Sequence, residues 1–311
     1  MTNETYTNRN NLWQTPALVI VMTGLAAIFL MGIGSVVAKV ITSQMGVDVQ
    51  QLVQSETPID LSLQERQGVR IFNLLAHLLG FTGGALLIAF LTRGQEKNRT
   101  FLALDRWPTL RVFLLALVAL AGSAPLILFS NWLNYQLPLP EWMWQTEGQQ
   151  NHLVAQVLRT ENALELITAF AVAALAPAVG EELLFRGILQ PQFQKWAGNA
   201  HIGIWLTAAV FSAIHLQFAG FLPRMLLGAF LGYTLWWSRS LWLPILLHLF
   251  FNGVQVVAAF LSPAAFETAS QENPVEMPSL LLVLGSLVAL YFLLPLLARH
   301  QPPAAEEDAL A

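Results

Sequence analysis

The sequence predicts an all-α, polytopic membrane protein of about eight transmembrane helices around an intramembrane polar site. The 311 residues are 55 % hydrophobic and 11 % charged, about half the charged fraction that is usual for a soluble domain. The apolar residues form runs of about twenty, which is the length of a membrane-spanning helix. One run also contains ionisable side chains, which are costly in a bilayer and therefore indicate a functional site.

Eight apolar segments are predicted to span the membrane, because lipid leaves no partner for free backbone groups. The sixth of them is short. Two interpretations of the segment 138–159 are open. It forms either an interfacial helix or an extracytoplasmic loop anchored by Trp142 and Trp144. The predicted spans are 17–41, 71–92, 110–132, 163–193, 201–219, 224–237, 241–261 and 279–298.

Positive charges predict that both termini are cytoplasmic, since Lys and Arg concentrate in cytoplasmic loops. The loop after the second span is rich in them, whereas the segment 134–158 has none. An outer loop at 44–67 that contains Arg66 does not fit this orientation. The expected location is the cytoplasmic membrane of a prokaryote. The basic residues after the second span are Arg93, Lys97, Arg99 and Arg106.

Five segments are expected along the chain, with the core of the protein in the second half. Residues 1–15 form a polar tail, and residues 16–160 form the N-terminal membrane helices and loops. Residues 161–262 contain the polar site, residues 263–300 the last membrane helix, and residues 301–311 a disordered tail.

Composition excludes several functions. The chain has no cysteine, so it has neither disulfides nor a cysteine nucleophile. Its formal net charge of -4 and the absence of a basic block argue against nucleic acid as a partner. Membrane lipid is the partner that the composition predicts.

Polar side chains from three predicted spans are expected at one depth. Glu181 precedes Lys195 by as many residues as His215 follows His201, so both lie about 20 Å from the turn that joins their spans. His248 and Asn252 reach a similar depth in the seventh span.

Spacing also predicts local pairs. Glu182 and Arg186 are four residues apart in the favourable order for a helical ion pair, which we expect to be structural. His248 and Asn252 share a helical face, and Phe211 precedes His215 by one turn and could form a wall of the site. Asn73 and His77 in the second span are read as interhelical hydrogen-bonding residues without a chemical role.

These residues have the parts of a peptide hydrolase. A carboxylate away from water is a stronger base, so Glu181 could activate a water molecule that His215 helps to hold. His248 and the Asn252 amide could stabilise the negative charge that forms on the attacked carbonyl oxygen.

The motifs Glu181-Glu182-x-x-x-Arg186, Phe211-x-x-x-His215 and His248-x-x-x-Asn252 resemble those of the CPBP family, the CAAX proteases and bacteriocin-processing enzymes. The resemblance covers about residues 160–262. It implies an intramembrane endopeptidase whose partner is a peptide or lipidated-protein substrate. By the same resemblance Glu181 and His215 activate water, His248 and Asn252 form the oxyanion site, and the remaining motif residues support them.

Two matters stay open at this point. The family is also described as metalloproteases, and Glu181, His215 and His248 are the possible zinc ligands, although a glutamate mechanism requires no cofactor. The alternatives to a protease are a non-enzymatic immunity or scaffold protein that keeps the fold and, less favoured, a proton-coupled transporter. The chain shows no inverted repeats of the kind common in transporters.

Overall fold

The computed structural model describes residues 15–54, 61–92, 102–263 and 276–300. Every regular element in these ranges is a helix, so the predicted all-α class is confirmed. Nearly all of the N-terminal tail, the basic residues at 93–99 and the tail at 301–311 lie outside the described residues.

We number the helices in chain order and treat a helix with an internal break or wide turn as one. The structure therefore has helices α1 to α10 within the described ranges. Their bounds are α1 Pro16–Gln44, α2 Val49–Gln54, α3 Leu63–Thr92, α4 Leu110–Tyr135, α5 Glu141–Leu158, α6 Ala163–Ala197, α7 Ala200–Ala213, α8 Phe221–Ser238, α9 Trp242–Leu261 and α10 Leu280–Ala298.

Six of these helices, α1, α3, α4, α6, α9 and α10, are long and apolar enough to cross a membrane, which makes this a multi-pass membrane protein. The prediction of about eight spans is therefore supported only in part. Helix α7 is too short, because it ends at Ala213 rather than at residue 219. Helix α8 occupies the sixth predicted span but is not among the six apolar helices. It contains the charged Arg224 and ends at the polar Ser238.

Helix α3 begins about two turns before the predicted start of the second span. Ser62 caps its N-terminus, and the Ser62 and Glu65 side chains each bond the other residue's backbone N–H. This reciprocal cap satisfies donors that a helix end otherwise leaves free. The extension places Arg66 in a helix and not in the outer loop that the sequence predicted.

Arg66 and Arg70 are buried, with 3 % and 1 % of their surface exposed. Both pair with the buried Glu165, at 3.1 Å and 3.2 Å. Arg70 also donates to the carbonyl oxygen of Val157 at the end of α5. Because these arginines neutralise a carboxylate, they are not free surface charges, which explains why Arg66 did not fit the orientation rule.

Helix α6 is the centre of the molecule and contacts α1, α3, α7 and α9. Its middle contributes buried side chains from Leu183 to Leu189 to the largest apolar core. Helix α1 packs along α3, helix α7 packs on α8, and helix α10 packs on α4.

Helix α5 settles the two readings of the segment 138–159 in favour of a helix. It packs over the loop 214–220 that joins α7 to α8. There the Glu147 carboxylate accepts a hydrogen bond from the Ala219 backbone N–H at 2.9 Å, and Asn151 bonds Gln217 at 2.7 Å. Burial raises the pKa of Glu147, against the opposing effects of the Ala219 N–H and the charge of Arg224.

Candidate active site

Two buried glutamates lie where helix α6 changes its geometry. Glu181 and Glu182 end an α-helical stretch, and a wider π-helical segment, Leu183–Leu189, follows directly. π-helical segments are rare in proteins, and those that occur often lie at functional sites. Glu181 is 6 % exposed and Glu182 is fully buried.

Glu182 forms the ion pair that its spacing predicts. Its Oε1 accepts a hydrogen bond from Arg186 Nη1 at 3.0 Å, and both side chains are fully buried. Arg186 also donates from Nη2 to the Gly228 carbonyl oxygen of α8 at 2.9 Å, and its guanidinium lies 4.6 Å from the centre of the Phe211 ring. The arginine therefore joins three helices, as a supporting residue would.

The same Glu182 oxygen also holds His248 of α9. His248 Nδ1 donates to Oε1 at 2.8 Å, so Nδ1 carries the ring proton of the neutral imidazole. His248 Nε2 then faces Glu181 Oε2 at 3.9 Å. The sequence did not predict that Glu182 orients His248.

Glu181 lies between two imidazoles. Its Oε1 is 3.2 Å from His77 Nε2, and its Oε2 faces His248. His77 is on α3 and was read from the sequence as a residue without a chemical role. The sequence did contain an indication of this contact. The number of residues from His77 to the end of its helix at Thr92 is close to the number from Glu181 to Lys195, so the two side chains lie at a similar depth.

His215 lies beyond the end of α7, in the loop, and not on a membrane helix as the sequence predicted. The chain leaves the helix at Ala213, and Leu216 adopts a left-handed backbone conformation with φ of 54°. The His215 ring donates from Nδ1 to the Phe211 carbonyl oxygen at 2.8 Å. Phe211 stands beside both His215 and His248, with ring centres 5.1 Å and 6.2 Å away.

Within the described residues, no hydrogen bond or ion pair joins His215 to Glu181. The Asn252 side chain is half-buried one helical turn after His248. It also has no hydrogen-bond partner within the described residues. The structure therefore brings His248 into contact with the glutamates. It leaves the Nε2 of His215 and the amide of Asn252 without hydrogen-bond partners among the residues that it describes.

Several buried polar atoms around the glutamates lack a hydrogen-bond partner within the described ranges. Buried polar groups are normally paired with protein or ordered water, so ordered water is the expected partner of these atoms. The atoms are His77 Nδ1, Thr82 Oγ1, Glu182 Oε2 and Arg186 Nε.

The three possible zinc ligands are not gathered into a metal-binding group. No group of three or more His, Asp or Glu side chains in the described part of the chain is arranged to hold a metal ion. Glu181 and His248 face each other across 3.9 Å, but no hydrogen bond or ion pair joins His215 to Glu181 within the described ranges.

Comparisons with known proteins identify the segment that contains this site. Residues 163–254 match the family described as "Type II CAAX prenyl endopeptidase Rce1-like", a match that covers under a third of the chain. The chain is also 30 % identical over 81 residues to the "Uncharacterized protein YpbD" of Bacillus subtilis (strain 168). That alignment covers 25 % of this chain and 38 % of the relative. No solved structure matches the chain.

Proposed function

Because residues 163–254 carry a domain of the Rce1-like type II CAAX prenyl endopeptidase family, we propose that the protein is an intramembrane endopeptidase in which Glu181 activates water. One observation carries the proposal. A carboxylate only 6 % exposed lies between two imidazoles from different helices. A peptidase of this kind needs a base that is shielded from bulk solvent and close to other groups that exchange protons.

The reaction begins with a water molecule at Glu181. Oε2 takes a proton from the water as its oxygen attacks the scissile carbonyl carbon, and the carbonyl oxygen becomes negatively charged. The protonated Glu181 then gives this proton to the departing amine nitrogen as the C–N bond breaks. The carboxylate is thereby restored, and the water is consumed in the hydrolysis.

The hydrogen bonds of His215 and His248 determine which role each ring can take in the reaction. His215 and His248 both commit Nδ1, to a backbone carbonyl and to Glu182 respectively. Their Nε2 atoms therefore accept a proton or a hydrogen bond when the rings are neutral. His248 can donate to the developing oxyanion only as an imidazolium, a form that the adjacent Glu182 carboxylate stabilises.

Asn252 is the donor that needs no protonation. Its amide lies on the face of α9 that carries His248, one turn further along the helix. A neutral amide can stabilise an oxyanion throughout the reaction, and the loss of one such donor costs about 10²–10³ in rate. We assign it this role together with His248.

The substrate is proposed to be a membrane-associated or lipidated peptide. The rings of Phe185 and Phe211 are buried beside the glutamates, with centres 5.2 Å apart. Phe211 gives the site an apolar wall beside His215 and His248. The proposed chemistry uses no metal ion and no other cofactor.

Peptide cleavage by purified protein in detergent tests this function. The probes are a fluorescent peptide that ends in a prenylated CAAX sequence, the same peptide without the lipid, and a transmembrane peptide. We expect Glu181→Gln to lower cleavage by about 10²–10⁴-fold, the contribution of general base catalysis. The glutamine keeps an oxygen that can accept the His77 bond, so the variant should fold.

The matched control is Glu141→Gln, which alters an exposed glutamate at the start of α5 and should cleave normally. Treatment with a chelator should leave the wild-type rate unchanged. Normal turnover by Glu181→Gln would refute the assignment. If the folded wild type cleaves none of the three probes, a non-enzymatic membrane protein is favoured.

A further inference from the structure

His77 contacts the proposed base from outside the segment that matches the peptidase family. Its Nε2 is 3.2 Å from Glu181 Oε1, and its ring stacks on Phe81 with centres 4.4 Å apart. We propose that His77 is a positioning residue that holds Oε1 of Glu181 and leaves Oε2 to take the proton from water. This inference deepens the proposed endopeptidase function and rests on it.

The unpaired nitrogen of His77 indicates which nitrogen carries the proton. His77 Nδ1 is buried without a hydrogen-bond partner among the described residues. A proton there would be an unpaired buried donor, which is unfavourable. The proton of the neutral ring therefore belongs on Nε2, where it is donated to the carboxylate.

The contact depends on an unusually close approach of α3 to α6. A Cβ atom at Gly180 would lie 2.8 Å from Thr82 Oγ1 and 3.0 Å from His77 Cε1. A larger residue at position 180 would therefore displace the side chains of Thr82 and His77. The absence of a side chain at Gly180 is what allows the hydrogen bond.

Both helices depart from α-helical geometry beside this contact. In α3 the π-helical segment Leu78–Gly83 begins directly after His77, and in α6 the segment Leu183–Leu189 begins directly after Glu182. A π-helical turn widens the helix and changes the direction of the side chains that follow it. Two such turns on facing helices, one directly after His77 and the other two residues after Glu181, mark a built polar site and not an incidental crossing.

Holding one oxygen fixes the orientation of the carboxylate. The other oxygen, Oε2, is the one that faces His248. Without the His77 bond, the carboxylate can rotate and its basic oxygen spends less time in the productive position. The loss should therefore lower kcat and leave KM nearly unchanged, because the peptide itself does not bind His77.

Two substitutions separate positioning from packing. His77→Gln keeps an N–H donor near the position of Nε2 but loses the ring, whereas His77→Phe keeps the ring that stacks on Phe81 but loses the donor. We expect His77→Gln to stay within about threefold of wild type and His77→Phe to lose about ten- to a hundredfold in kcat, as for loss of a hydrogen bond to a charged group. The control Asn73→Ala, an exposed position one turn earlier in α3, should be unchanged.

If His77 only packs, the order reverses and His77→Phe is the more active variant. That order, or equal activity of both variants with wild type, would overturn the proposal. Equal losses in both, accompanied by a lower apparent melting temperature, would also overturn it, because they would show a structural role.

A second measurement does not require activity. The ¹⁵N NMR spectrum of the imidazoles distinguishes the two neutral tautomers, and the signals missing in His77→Gln identify those of His77. We expect the Nε2–H form, with signals that shift in Glu181→Ala. If those signals do not move, His77 does not hold Glu181, whatever the peptides show. If they move but the wild type cleaves nothing, the proposed peptidase function fails and the contact stands.

Discussion

At the residue scale, a single oxygen atom organises the site. Oε1 of Glu182 accepts hydrogen bonds from both Arg186 and His248, so one carboxylate neutralises the buried guanidinium and fixes the tautomer of the imidazole. This links the motif on α6 to the motif on α9. It also keeps His248 Nε2 directed at Glu181, the residue proposed to do the chemistry.

Removing the Glu182 carboxylate should therefore destabilise the protein. Glu182→Ala leaves Arg186 charged and unpaired in the core, and breaking a buried pair in this way costs about 3–5 kcal/mol. The double variant Glu182→Ala/Arg186→Met removes both charges and should recover much of this loss. The measurement is the apparent melting temperature of each purified protein in the same detergent.

Glu161→Ala is the control for this series. Glu161 pairs with Arg66 at 3.0 Å, but its side chain is 60 % exposed. Arg66 keeps its buried partner Glu165 in this variant, and a pair with an exposed carboxylate contributes about 0–1 kcal/mol, so the melting temperature should barely change. A double variant no more stable than Glu182→Ala would contradict the charge argument.

At this scale, spacing predicted only some of the contacts. The Glu182–Arg186 pair follows from helical periodicity, since residues four apart share a face. The His77–Glu181 contact joins residues far apart in the chain, and helical periodicity carries no information about it. The helical position expected for His215 was wrong because the turn after Ala213 ends α7 early.

At the element scale, close helix crossings are set by small residues. Gly34 of α1 lies against the backbone of α3, where a Cβ atom would stand 2.6 Å from the Leu75 carbonyl oxygen and 2.9 Å from Ala76 Cα. Backbone atoms cannot move aside as a flexible side chain can. This crossing holds α1 against the helix that carries His77.

Gly34→Ala should therefore lower stability, by about 1–3 kcal/mol, as overpacking does. Gly32→Ala on the same helix is the matched control, because a Cβ atom there meets nothing within 4 Å. That change should be neutral or stabilising, since alanine favours a helix over glycine by up to about 1 kcal/mol. Thermal unfolding of both variants in detergent distinguishes them, and equal melting temperatures would rule out a tight crossing at Gly34.

At the scale of the whole molecule, the six long apolar helices define a multi-pass membrane protein. The proposed orientation places both termini and the loop near Arg106 in the cytoplasm, with α5 on the opposite side. Arg66, which did not fit this orientation, and Arg70 are buried in ion pairs with Glu165 and so give no information about sidedness.

The lack of cysteine allows a direct test of this orientation. Gln149→Cys on α5 and Asp105→Cys before α4 each introduce one exposed thiol. We expect a membrane-impermeant maleimide to label Gln149→Cys in intact cells and Asp105→Cys only after permeabilisation. The wild-type protein gives the background, and the reverse pattern would invert the topology.

The sequence by itself determined what depends on local periodicity and on hydrophobicity: the helical class, the membrane location, the Glu182–Arg186 pair and the polar groups on α6 and α9. Only the tertiary structure decided that His77 bonds Glu181 and that Glu182 orients His248. It also decided that Glu165 neutralises two arginines. Spacing along a helix fixes its face and its depth, whereas the rotation of helices and their distance of approach depend on packing between residues distant in the chain.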